Sequence, residues 1–521
     1  MKTQVRTALA ASLFYLAASI TTPGFAANND SHTGELTLKH LSSYATGFSN
    51  PDGGVAEIVK FNPDNKKMYL VNGMTKTVDI VTLTADGTTK FNAATDRIDV
   101  SKTIASFNFG DITSVDVNTK HKIIALAVQE ADYSKAGAIV ILDYNGKLIK
   151  HVAAGVQPDM VTFTPDGNSI LTANEGEPRL GYEAGSVDPQ GSVTIVDLRK
   201  GVEKATAVTV GFEGFDAKRD QLIADKVLLK QGAAPGVDLE PEYIAVSADS
   251  KKAYVSLQEA NAIASLDIKD KKFTAIKGLG FKDHSIEKNA VDLLKDKKID
   301  IKPQQVYGAY MPDGIASYES KGSNYILTAN EGDGREWGAY TNIATAVIDG
   351  QKVDALKNTE HVGLSADKVY TFGGRSFSIW QADTLQQVFD SGSDFESIAA
   401  KKYPKYFNAS NKDVVLDSRS GKKGPEPEDV KVGRIGDKVY AFIGLERMGG
   451  VMTYNITDPA NAYFVDYCNT RDFSANIAGD VSPEGLCFVA ADKSPTGRPL
   501  LLAANEVSGT VAIFEVHSAA K

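Results

Sequence analysis

Apolar and polar residues alternate in short runs along almost the whole chain, and each run stops at a turn. Alternation of period two, broken by turn residues, predicts β-strands rather than helices. Seven of these strands end in nearly the same letters: LVNG (70–73), AVQE (127–130), TANE (172–175), LQE (257–259), TANE (328–331), GLE (444–446) and AANE (503–506). A polar loop and a second apolar run follow, such as AIVILD (138–143), SVTIVD (192–197), IASLD (263–267), VMTYN (451–455) or TVAIF (510–514). Units this small cannot each bury a hydrophobic face alone, so they must stack as repeats.

A second mark lies upstream of each strand end. It is usually a proline followed by an acid: Pro158-Asp159, Pro241-Glu242, Pro312-Asp313, Pro427-Glu428 and Pro483-Glu484. Glu57 and Ser114 take the matching positions in the first two repeats, without the proline. The spacing to the strand end is 16, 17 or 18 residues, and 22 in the last repeat. Between the marks lie tight-turn sequences such as Asn-Pro-Asp-Asn (62–65), Thr-Pro-Asp-Gly (164–167) and Ser-Ala-Asp-Ser (247–250), whose residues preset a turning backbone. Each unit thus reads acid, strand, turn, strand, acid.

The start of the first strand of a hairpin and the end of the second lie at one end. The acids of every unit are therefore expected at one end. Units arranged as blades around a channel make an all-β fold, a single β-propeller over residues 27–521. Seven blades are expected, or eight if residues 355–400 form a blade of their own. FGGRSFSIW (372–380) raises that alternative, with Arg375 at the usual glutamate position and Glu360 fifteen residues before it. The first strand of a blade lines the channel, so Glu57, Asp159, Glu242, Asp313, Glu428 and Glu484 are expected to ring its mouth. Glu130, Glu175, Glu259, Glu331, Glu446 and Glu506 form a second ring just outside. The ring is expected to close by pairing LTLKHLSSYA (36–45) with TVAIFEV (510–516).

Composition alters this picture little. The chain has 521 residues, 42% hydrophobic and 23% charged. That suffices for a large core, and the continuous repeat argues for one ring over several domains. Lys2 and Arg6, the uncharged apolar stretch Thr7–Ile20 and small residues up to Ala26 read as an export signal over residues 1–26, cut after Ala26. No apolar stretch is long enough for a permanent membrane span. The net charge of −10 becomes −12 without Lys2 and Arg6, which argues against nucleic acid as a partner. A monomer in the periplasm or secreted is expected. The two cysteines, Cys468 and Cys487, read equally as a disulfide or as two free thiols.

Charge does add chemistry. Hard cations such as Ca²⁺ take six to eight oxygen ligands, and convergent acids at a channel mouth suit them. Asp159, Glu175, Glu242, Glu259, Asp313, Glu331, Glu428, Glu446, Glu484 and Glu506 are the candidate ligands. Any one of them alone reads equally as a turn cap. Arg179, Arg335 and Arg447 follow the strand ends on the same face, and Arg419 precedes Pro427-Glu428. Arginine's fork matches phosphate, so acids that hold metal beside arginines that hold an oxyanion point to metal-assisted phosphoryl transfer. The plain alternative is salt bridging between Arg and Glu. No H-E-x-x-H or G-x-S-x-G motif is present, which excludes the common zinc-protease and α/β-hydrolase readings.

The series TANEGEPR, PDGIASY, TANEGDGREW, FGGRSFSIW, DSRSGKKGPEPED, AFIGLERMGGVMTYNI and AANEVSGTVAIF resembles the choice-of-anchor I proteins over residues 40–515. These are exported bacterial propellers, a set that includes chains named for a mesenchyme-specific cell-surface glycoprotein and for an atypical alkaline phosphatase. The resemblance implies the propeller fold, export and a phosphatase-like activity on a small phosphorylated substrate. A propeller that binds a protein or glycan and uses metal only for rigidity is the rival expectation, and a lactonase-type hydrolase is a third.

Overall fold

The computed structural model describes residues 34–518; the expected export signal at 1–26 lies outside the described residues. Seven antiparallel sheets of four or more strands repeat around an axis. The inner strands, in ring order, are Val59–Asn62, Phe109–Asn118, Pro158–Phe163, Ile244–Val246, Ile315–Ser320, Pro427–Ile435 and Pro483–Val489. We number the blades I to VII by these strands. Each inner strand touches the next, and the last touches the first, so the ring is closed.

Burial explains the strand composition. Blades stack face to face, so their middle strands are covered on both sides and read as unbroken apolar runs. Leu500–Asn505 is buried at every position, and Ile123–Glu130 at all but its last. Outer strands face solvent, and Thr206–Gly211 is only partly covered. The tight turn between first and second strands needs one left-handed residue, and Lys66, Lys122, Gly167 and Ser250 take that conformation.

Blade VII is built from both ends of the chain. Leu36–Ala45 pairs antiparallel with Thr510–Ser518, with Leu36 opposite Ser518 and Ala45 opposite Thr510. The expected closure is present, and it removes the edges an open sheet would expose.

The eight-blade alternative does not occur. Phe377–Gln381 pairs with Ser323–Ala329 as the third strand of blade V, so FGGRSFSIW completes a blade that a long insertion had split. Within that insertion, Val369–Phe372 pairs in parallel with Val306–Ala309 in a small sheet outside the ring. A second insertion, 391–426, carries the helix Asp394–Lys402 and then a strap that returns to the channel mouth. Cys468 and Cys487 are free thiols, on the outer strand of blade VI and the inner strand of blade VII. Among the described residues no helix is long and apolar enough to cross a membrane.

The clasp predicts a stability contrast. Leu36 is fully buried and Lys39 is exposed. Leu36→Ala should lower unfolding free energy by about 2–5 kcal/mol, and Lys39→Ala should stay within about 0.5 kcal/mol, both by urea denaturation. Equal small effects would mean that the closing strand contributes little.

A candidate metal centre at the channel mouth

Every inner strand starts at the same face, and the acids at those starts turn into the channel. Glu57, Asp159, Glu242, Asp313, Glu428 and Glu484 line a cavity of about 190 Å³ there, with Ser114 from blade II. This is the inner ring that the repeat spacing implies. Glu331, Glu446 and Glu506 line a wider adjoining pocket of about 550 Å³. In blade I the strand end is Gly73. A Cβ there would lie 2.6 Å from Glu57 Oε1, so an inner-ring carboxylate fills the space.

Among the described residues the acids gather in three cages. Asp159, Glu175 and Glu242 form one, Asp313, Glu428 and Glu484 a second, and Glu331, Glu426 and Glu446 a third; in each, one oxygen per residue lies within 4.8 Å of the others. Glu426 was not among the sequence candidates. It precedes Pro427 on the strap, outside the acid-strand-turn-strand-acid unit, and its only signal was the run Glu426-Pro427-Glu428-Asp429. Of the ten candidate ligands, Glu259 and Glu506 stay out of the cages, as does the second-ring acid Glu130. Glu506 accepts from Gly54 N at 3.1 Å and from Ser482 Oγ at 3.0 Å. Glu130 Oε2 accepts the backbone N–H of Asp132 at 2.8 Å, a turn cap. Glu259 is buried near the Arg335 charge, and its Oε2 has no hydrogen-bond partner.

Electrostatics separates the cages. Burial and the neighbouring carboxylates push Glu242, Glu428 and Glu484 well above the usual carboxylate range. Asp159 is pushed up to about 7 by burial and by Asp313 and Glu177. Like charges held this close must take up protons or find cations. Glu428 is 6% exposed, and its Oε2 has no hydrogen-bond partner. Among the described residues no lysine or arginine ion pair reaches Asp313, Glu428 or Glu484.

The third cage is filled. Lys423 Nζ contacts Glu331, and lies 3.1 Å from Glu426 Oε2 and 3.3 Å from Asp333. Arg419 Nε donates to Glu426 Oε1 at 2.8 Å, and Arg447 Nε to Glu426 Oε2 at 3.0 Å. Burial would raise Glu426, but Lys423, Arg447 and Arg419 hold it well below the ordinary range.

The arginines are not alike. Arg419 and Arg447 line the wide pocket. Arg179 is 41% exposed and pairs with Glu177 at 2.9 Å and Glu175 at 3.8 Å. Arg335 does not face the mouth, contrary to its expected equivalence with Arg179. It is 1% exposed, bound to Asp238 and Glu240 and stacked over Trp337. The insertion after Glu331 folds it inward, so it cannot act as a phosphate clamp there. Arg335→Ala should cost about 3–5 kcal/mol by leaving buried carboxylates unpaired, while Arg179→Ala should cost under about 1 kcal/mol; denaturant midpoints measure both.

The raised acids also predict a pH profile. Asp159 and Glu331 are raised to about 7 and Glu259 to about 8, against roughly 4 in an unfolded chain. The native state holds the extra protons between those values. Its stability is full below the unfolded value and lost as pH rises through 7 and 8. Chelator-treated protein should melt at a lower temperature at about pH 9 than at about pH 5, and Ca²⁺ should narrow the gap. A melting temperature that rises over that range without metal would contradict this electrostatic picture.

A family model described as the choice-of-anchor I domain matches residues 57–459, and the chain belongs to that family. Gigasin-3a of Magallana gigas is 35% identical over 166 residues, 29% of this chain and 58% of that protein. The mesenchyme-specific cell surface glycoprotein of Strongylocentrotus purpuratus is 26% identical over 259 residues, 40% of this chain and 31% of that protein. The chain thus covers less than two thirds of the length of either relative. Among solved structures, the β-propeller domain of Cps50 (Swd1) from Myceliophteria thermophila is similar at TM-score 0.45 and 10% identity, over 92% of this chain and all of that one. Hydrazine synthase of Kuenenia stuttgartiensis is similar at TM-score 0.46 and 12% identity, over 91% and 99%.

Proposed function

We propose that this choice-of-anchor I protein is an exported β-propeller that binds Ca²⁺ at its channel mouth and hydrolyses a phosphate ester there. The observation that carries the reading is Glu428. Its Oε2 is buried without a partner inside the cage formed with Asp313 and Glu484, an arrangement that a cation would relieve. The donor set fits calcium: all the cage ligands are carboxylate oxygens, and no His or Cys lines either cavity. The cages Asp159/Glu175/Glu242 and Asp313/Glu428/Glu484 would hold the ions. A bound divalent cation polarises a phosphoryl oxygen and acidifies a bound water.

The protein's own part is orientation. Arg419, Lys422 and Arg447 line the wide pocket together with Glu242, Asp313, Glu428 and Glu484 and offer N–H donors to phosphate oxygens. Glu426 fixes the two arginines in place. The basic start and small-residue end of segment 1–26 support export, as does the name of the cell-surface relative.

One observation favours a second reading, a non-catalytic propeller that binds a protein or glycan and uses metal for rigidity. Each of the four candidate arginines is already ion-paired to a carboxylate. Purified protein assayed on p-nitrophenyl phosphate separates the two. Ca²⁺-dependent turnover, abolished by chelator and reduced at least about 10- to 100-fold in Glu428→Gln, supports the hydrolase. A Ca²⁺-dependent rise in melting temperature with no turnover selects the binder. Absence of any Ca²⁺ effect on either quantity defeats both.

A further inference from the structure

We infer that Lys423 is a built-in cation that occupies the third carboxylate cage and closes it to metal, so that the channel mouth takes divalent ions in the other two cages alone. The inference rests on the metal-binding reading above and refines it. Of the three cages, only this one holds an ammonium group. Lys423 Nζ sits among Glu331, Glu426 and Asp333, and its side chain is 12% exposed. The other oxygens are taken as well. Glu331 Oε2 accepts from Gln258 Nε2 at 2.7 Å, both oxygens of Glu426 accept from arginines, and Glu446 Oε1 lies 2.9 Å from Arg447. A divalent ion placed here would meet a like charge at contact distance and would displace donors already bonded. In the Asp313/Glu428/Glu484 cage no basic side chain has to be displaced.

The lysine is held there by design of the strap. Arg375 donates to the carbonyls of Ser420 at 2.7 Å and Lys422 at 2.8 Å, and its other nitrogen binds Asp292 O and Glu396. Arg375 is buried, so the backbone just before Lys423 is fixed from beneath. The arginine at the irregular repeat position thus serves to aim the strap, and Lys423 with it, into the cage. Its ammonium does permanently what an exchangeable ion does in the neighbouring cages, and it keeps that wall cationic for an anionic ligand.

Counting bound Ca²⁺ by equilibrium dialysis and elemental analysis tests this. Lys423→Met should bind one ion more per chain than the wild type, and Lys423→Arg the same number as the wild type. A cooperatively folded Lys423→Met with an unchanged count overturns the inference. If Lys423→Met does not fold, Glu446→Gln decides. The count should stay at the wild-type value, because Glu446 ligates no ion, and a loss of one ion overturns the inference. A wild type that binds no Ca²⁺, beside a Lys423→Met that binds one, would defeat the proposed function and leave the role of Lys423 standing.

Discussion

Repulsion among carboxylates at one end of a closed ring is the constraint that organises this molecule. Seven inner strands converge on one axis, and all but one blade deliver an acid to the same opening. The ring cannot relax by spreading, because Leu36–Ala45 locks the final blade with a ladder to Thr510–Ser518 that is interrupted only between His40 and Ser42. The apolar middle strands supply the free energy that holds these charges together, and whatever offsets the charges then becomes part of the fold's stability.

The mouth uses three means of offsetting them. Protons are one, since Asp159 holds its proton up to about pH 7. Basic side chains are another, as Lys423, Arg419 and Arg447 around Glu426. Under the proposed function the third is an exchangeable cation at the Asp313/Glu428/Glu484 cage. Proton and divalent cation compete for the same oxygens, so metal affinity should be weaker in acid. Burial would lower Lys423 and Arg447, but the carboxylates around them raise both above their usual values, so these two stay cationic.

Much of this was legible in the sequence because a repeat carries its own register. Acid, strand, turn, strand and acid recur at nearly constant spacing, and hairpin geometry alone puts Glu242 and Glu428 at one end. The expected closing strand followed from the same logic, since an unpaired apolar strand at the N-terminus needs a partner. What escaped were the features set by insertions. Glu426 belongs to a strap rather than a blade, so no spacing marked it. Arg335 stands four residues after its strand-end glutamate, as Arg179 does, yet Asp238 and Glu240, from the segment just before the inner strand of blade IV, hold it in the interior. Arg375 looked like the end of an eighth blade because the third strand of blade V is separated from the second by 47 residues, from 330 to 376. Local letters report local structure, and these positions are decided by partners far along the chain.

The division between repeat and insertion also separates scaffold from site. A symmetric ring of acids has no preferred side, and alone it would bind ions without orienting anything between them. The insertions in and after blade V break that symmetry. They bring Arg419 and Lys422 to the wide pocket beside Glu242, Asp313, Glu428 and Glu484, and set Lys423 against Glu331 and Glu426. Anionic and cationic groups then share one pocket, so under the proposed function a ligand that bridges them carries oxygens both for a metal and for N–H donors. A phosphate group meets both demands with one cluster of charged oxygens, whereas a neutral sugar hydroxyl or a peptide amide brings no charge to either the cation or the arginines.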